Sequence, residues 1–158
     1  LMAISNKRGS MVLATGNKSE MAVGYATLYG DMAGGFSAIK DVPKTLVYSL
    51  VRYRNSINLV VPERVLHRAP SAELAFGQED QQTLPSYQIL DAILKAYIEE
   101  DKTIVDIIQD GFNEITVRDV VRRGKLSEYK RRQAAPGVRI SQRAFGRESR
   151  YPINSAFG

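Results

Sequence analysis

The run Met11-Val12-Leu13-Ala14-Thr15-Gly16, followed at once by Asn17-Lys18-Ser19-Glu20, restricts the fold more than any other stretch of the chain. A short apolar run halting at Thr-Gly predicts a buried strand of a parallel sheet, because strands covered on both faces are apolar without alternation. A helix has to follow. Asn17-Lys18-Ser19 supplies its cap, since short polar side chains there accept from the free N–H groups of the first turn. Glu20, Met21, Val23, Gly24, Thr27 and Leu28 carry the helix to about Tyr29, with Gly30 as its stop.

The remainder reads as mostly helical. Met32-Ala33-Gly34-Gly35-Phe36 predicts a flexible loop, its paired glycines permitting backbone shapes denied to other residues. Asp41-Val42-Pro43-Lys44 predicts a helix start, with Asp41 near the N-cap and Pro43 in the first turn. Leu46, Val47, Leu50, Val51 and Tyr53-Arg54 form the core stripe of that helix. Residues 62–66 read as one turn, and 69–74 and 78–85 as loops. The strongest helix spans 86–100, with Ile89, Leu90, Ile93, Leu94, Tyr97 and Ile98 along one side; shorter helices are expected over 103–109 and from 116 to about 124. Residues 1–10 read as the last turns of an amphipathic helix with no cap residue in front, so the chain is expected to continue upstream. Neither the charged start nor the cleavage site of a signal peptide is present there.

A chain of 158 residues fits one domain with a real core. It has no cysteine, which excludes a disulfide framework, a Cys-ligated zinc or iron–sulfur site and a thiol nucleophile. No apolar run approaches the roughly 20 residues of a membrane-spanning helix, and a cytoplasmic home is expected. Charge is asymmetric. Residues 121–158 hold ten Lys and Arg against Glu128 and Glu148, a balance of +8, leaving 12 basic against 15 acidic residues, or −3, for residues 1–120. That tail has few core-forming residues and is predicted to be extended. Its charge suits nucleic acid, a phosphorylated small molecule or an acidic partner. Tyr129, Phe145, Tyr151 and Phe157 give it too little aromatic interleaving for a single-strand binder, which weighs against a module of the nucleic-acid-binding kind.

Ligands of open parallel sheets gather beyond the carboxyl ends of the strands, where a helix N-terminus offers N–H groups to an anion. Thr15 is placed there to bond a nucleotide, and Glu20, one turn into the helix, to share a magnesium ion held mainly by phosphate oxygens. The same hexapeptide also describes an ordinary helix cap, with Glu20 complementing the dipole. Lys40 and Lys44, near a helix start after a glycine loop, suit closure over a polyphosphate, although lysines at helix starts are commonly just solvated. No G-x-x-x-x-G-K-[ST] loop is present. His67, the single histidine, has no Asp or Cys constellation around it in sequence and reads as surface or packing, and a transition-metal site is not expected. Glu99, Glu100 and Asp101 read as a solvated helix end.

Further runs complete a pattern: Gly24-Tyr25-Ala26-Thr27-Leu28-Tyr29-Gly30-Asp31-Met32, Ile39-Lys40-Asp41-Val42-Pro43-Lys44-Thr45, Arg52-Tyr53-Arg54-Asn55, Pro70-Ser71-Ala72-Glu73-Leu74, Gly77-Gln78-Glu79-Asp80 and Tyr129-Lys130-Arg131-Arg132-Gln133. With Leu13 through Glu20, these resemble the synthetase domain of glutamine-dependent NAD synthetases over nearly the whole chain. The resemblance implies an α/β fold: a Rossmann-like parallel sheet of the adenine nucleotide alpha hydrolase kind, here its C-terminal portion, followed by helices and the extended basic tail. On that reading residues 1–125 belong to the synthetase domain, and 126–158 are a tail packing on it. It implies an ATP pyrophosphatase-type ligase using ATP and Mg2+, which adenylylates deamido-NAD and passes the acyl group to ammonia drawn from glutamine. A homodimer or larger homo-oligomer is implied as well. Carried over by motif, Thr15, Lys44 and Ser71 contact ATP, Glu20 places magnesium or lies against deamido-NAD, and Lys130 meets the dinucleotide. Ammonia-dependent relatives carry lysine where Leu28 stands and aspartate near Gly35, so those two contacts do not transfer, and the departures favour the glutamine-dependent branch. The family's Ser-Gly-Gly-x-Asp-Ser loop and its glutaminase would lie in an upstream part of the same polypeptide, so these residues alone are expected to be inactive. The competing readings are another ligase of the same group, or a non-catalytic basic module binding nucleic acid.

Overall fold

A computed structural model describes residues 1–68 and 83–154. Helix α1 (Met2–Arg8) ends at Gly9 and leads to strand β1 (Leu13–Ala14), helix α2 (Lys18–Val23) and strand β2 (Phe36–Ser37). The two strands are parallel, with Leu13 opposite Phe36 and Ala14 opposite Ser37. Among the described residues they form a two-stranded sheet, so the expected Rossmann-like sheet is reduced here to a small parallel pair in a mostly helical chain. Its cover is one-sided: Ala14 is buried, Leu13 exposed. Gly34 belongs to this pairing rather than to a free loop, because a Cβ there would stand 3.0 Å from both Val12 O and Ala14 N.

Helix α2 is shorter than its sequence suggests. It stops at Gly24, whose φ of 71° is left-handed and whose Cβ, if present, would overlap the Ser127 hydroxyl. Helix α3 (Lys44–Ile57) begins after Pro43, and Asp41 is not its cap. Proline disfavours helical geometry in the residue before it, so the helix cannot reach back through Val42. None of the α3 residues is buried; Leu46 and Leu50, expected in the core, are exposed, as are Tyr53 and Ile57. The 3.6-residue stripe is real, but only the head of this helix leans on the core. Helix α4 (Glu63–His67) follows, with His67 exposed and its Nε2 3.7 Å from Glu63.

The core lies in the second half. Helix α5 (Tyr87–Leu94) buries Tyr87, Leu90, Ile93 and Leu94, and runs into a π-helical turn, Lys95–Glu99, that buries Ala96 and Ile98. Helices α6 (Ile104–Gln109) and α7 (Glu114–Leu126) add Ile107, Val117 and Val120, which share one buried cluster with Ala22 and Val23 of α2. The tail is not wholly extended: Glu128–Gln133 forms helix α8, with Glu128 and Arg131 buried. Extended chain follows, with a lone bridge between Phe145 and Ser149. No helix among the described residues is long and apolar enough to cross a membrane.

Candidate functional site

Helix α2 is six residues long, about 9 Å at 1.5 Å per residue, and its two ends have different surroundings. At the head, Asn17 and Glu20 form a reciprocal capping box: Glu20 N–H donates to Asn17 Oδ1 at 3.0 Å, and Asn17 N–H to Glu20 Oε2 at 3.1 Å. The other carboxylate oxygen, Glu20 Oε1, accepts from Lys44 Nζ at 2.8 Å. Both side chains keep some access to solvent, 17% for Glu20 and 18% for Lys44. The Lys44 ammonium also stands 5.9 Å from the Tyr48 ring centre and 5.4 Å from that of Tyr87.

Pro43 offers α3 no side-chain cap, and its first N–H groups find partners elsewhere. Lys44 N–H donates to Ser19 Oγ at 2.8 Å, and Thr45 N–H to Asp91 Oδ2 at 2.9 Å. Next to them, Lys18 is 97% buried, its ammonium donating to Glu99 Oε1 at 2.7 Å, Ser141 Oγ at 2.7 Å and Arg143 O at 3.0 Å, with Asp41 Oδ1 at 3.2 Å. Asp41 also accepts the Ile140 and Ser141 N–H groups at 2.8 and 2.7 Å. Burial opposes its ionisation, but the hydrogen bonds from Ser141 and Ile140 and the Lys18 charge outweigh it and hold its pKa below the ordinary 3.8. Thus Asp41, read as a helix cap, clamps the tail, and Glu99, read as solvated, ties the π-helical turn to Lys18. The wider turn redirects Glu99 inward, a change that ordinary helical spacing does not announce. A cavity of about 500 Å³ opens beside this network, walled by Lys18, Asp41, Thr45, Asp91, Glu99 and Ser141; Glu20 and Lys44 stand outside its wall.

At the foot of α2 the cations face backbone. Lys130 Nζ donates to Gly24 O and Ala26 O, each at 2.7 Å, and the Arg131 guanidinium donates to Ala22 O at 2.8 Å and to Glu128 Oε2 at 3.0 Å. Burial pulls the Arg131 pKa down while Glu128 pulls the other way. The Phe145 ring covers the guanidinium, 4.5 Å from its centre. Lys40, read with Lys44 as a phosphate ligand, donates to Ala135 O at 2.8 Å and so holds the tail.

Of the residues singled out in the sequence, Glu20 and Lys44 are brought together, and Thr15 is exposed between β1 and the head of α2. Lys130 lies at the opposite end, and Ser71 lies outside the described residues. No group of three or more metal-ligating side chains occurs among the described residues. Glu20 therefore fits magnesium only as a single carboxylate beside phosphate oxygens and water, an arrangement this ion accepts. Sequence reasoning missed Asp91, Asp41 and Glu99 as partners; only the isolated carboxylate of Asp91 among Leu90, Ala92 and Ile93 hinted at a buried role.

Residues 1–134 match the family model described as NAD synthase. The glutamine-dependent NAD(+) synthetase of Acinetobacter baylyi is 61% identical over 155 residues, 97% of this chain and 29% of that protein. The chain therefore spans less than a third of the length of this curated relative. The NMN synthetase structure from Francisella tularensis is 26% identical, with a TM-score of 0.65 over 83% of this chain and 48% of that one. A glutamine-dependent NAD(+) synthetase structure from Cytophaga hutchinsonii, 24% identical, matches the fold with a TM-score of 0.69 over 98% of this chain and 26% of that one.

Proposed function

The chain belongs to the NAD synthase family, and on that premise we propose that it forms part of an ATP-dependent ligase amidating deamido-NAD to NAD, with ammonia taken from glutamine. The observation that carries this reading is the Glu20–Lys44 pair at the head of α2, 2.8 Å apart and still reached by solvent. A carboxylate is a poor electrophile. Transfer of AMP from ATP to the nicotinate carboxylate makes its oxygen a leaving group, pyrophosphate departs, and ammonia displaces AMP.

The chain's own residues then have distinct work. Lys44 binds the phosphates of ATP and goes on neutralising their charge as pyrophosphate departs, held ready by Glu20 and the two tyrosine rings. Thr15 and Ser71 contact the ATP side. Glu20 would hold Mg2+ through one oxygen, a role in which the ion supplies charge neutralisation on phosphate. Lys130, with two of its three donors on Gly24 and Ala26 carbonyls, keeps one for the dinucleotide. Residues 1–125 belong to the synthetase domain and 126–158 are its basic tail, in a cytoplasmic homodimer or larger assembly that the exposed apolar residues of α3 support.

The test is AMP release by the full-length gene product with ATP, magnesium and ammonia. Release dependent on deamido-NAD is expected, and no NAD from residues 1–158 alone. The likeness to an NMN synthetase favours one second reading, in which the acceptor is the mononucleotide acid; AMP release with that acid and not with deamido-NAD would move the assignment there.

A further inference from the structure

We infer that Asp91 is the positioning residue for Lys44, a role that rests on the ATP-side assignment of Lys44 proposed above. One carboxylate joins three helices. Asp91 Oδ2 accepts both the Thr45 N–H at 2.9 Å and the Thr45 hydroxyl at 2.7 Å, while Oδ1 accepts the Ser19 hydroxyl. Ser19 Oγ in turn accepts the Lys44 N–H at 2.8 Å. The first two N–H groups of α3, which Pro43 leaves without a side-chain cap, are thereby capped from α5 and α2. The backbone of Lys44 is fixed by this relay, and its ammonium by Glu20. The carboxylate also adds favourable negative charge at the positive end of α3. Asp91 is half-buried on an apolar helix, and three protein donors occupy it. It acts through Lys44, not on ATP.

The distinction matters because a charged group displaced by about 1 Å can cost about a hundredfold in rate. In the full-length gene product, Asp91→Ala is expected to raise the KM for ATP about tenfold and leave the KM for deamido-NAD unchanged. A merely structural role would lower kcat with the folded fraction and move neither KM. Asp91→Asn keeps an oxygen for Thr45 and can donate its amide to Ser19 Oγ, so it should stay within about threefold of wild type. In a Lys44→Ala background, Asp91→Ala should add nothing to the ATP KM; additive effects would overturn the proposal. Should Asp91→Ala fail to fold, Ser19→Ala, which cuts the link to Lys44, is expected to raise the ATP KM about threefold. A folded Ser19→Ala with an unchanged ATP KM would overturn the relay. An unchanged ATP KM in Lys44→Ala would instead overturn the assignment of Lys44, and the role of Asp91 with it.

Discussion

The two ends of α2 are about 9 Å apart and both are met by lysine or arginine, yet they use positive charge for different purposes. At the head, Lys44 meets the single carboxylate of Glu20, and both keep a path to solvent. At the foot, Lys130 and Arg131 meet carbonyls at the helix terminus and just beyond it, and Arg131 is shut between Glu128 and Phe145. An accessible pair can exchange its partner for a ligand. A buried cation on backbone oxygens cannot leave without stranding them. Charge on a helix end is therefore a poor guide to function until its partner is known.

The largest effect that sharpens this contrast is expected at the foot. Arg131→Met takes one of the two arginine partners from buried Glu128, leaving Arg132 on the other oxygen at 2.9 Å, and strips the Ala22 carbonyl of its donor; it should lower stability by about 3 kcal/mol in denaturant titration, with the rate per folded molecule unchanged. Next comes Glu20→Gln at the head, which keeps the capping box. Its adenylylation rate, read as pyrophosphate release, should fall about a hundredfold, with the thermal midpoint within about 2 °C of wild type. An unchanged rate in this variant, whose capping box is intact, would make Glu20 a cap and nothing more. Gly24→Ala should cost about 1 to 2 kcal/mol for its left-handed φ, and somewhat more for displacing Ser127, again at little cost in rate.

The smallest effect concerns acid. The folded-state pKa of Asp41 lies below 3.8, so its contribution to stability is full above that value and is lost as pH falls through the lower folded one. Thermal midpoints at pH 5 and pH 3 should therefore differ more in wild type than in Asp41→Asn. An identical acid dependence in the two proteins would mean that the Lys18–Asp41–Ser141 clamp is not what holds the tail.

What the sequence made legible was local. The Asn17 cap, the strand before it and the short helix expected over 103–109, which the structure starts with a Thr103–Asp106 capping box, all depend on neighbours within four residues. What it hid depends on distant partners. Val23, Thr27 and Leu28 continue a helical pattern, so nothing local reveals that Ser127 crowds Gly24 and ends α2 there. Arg131 sits in a basic run that usually lies in water, and only the approach of α2 and Phe145 buries it. Glu99 needs the π-helical turn to face Lys18. The α3 stripe shows amphipathic spacing, but spacing carries no information on which surface covers it. At the site, the motif resemblance singled out Glu20 and Lys44, which the fold brings together, whereas the partners of Asp91 could not be read locally because its three donors come from residues 46 and 72 positions away.

The most direct measurement is amide hydrogen exchange of the full-length gene product with and without magnesium ATP. The expected result is slower exchange at residues 17–20 and 44–46, with residues 128–133 unchanged. Protection that appears equally at both ends of α2, or at the foot alone, would contradict the division of labour between them.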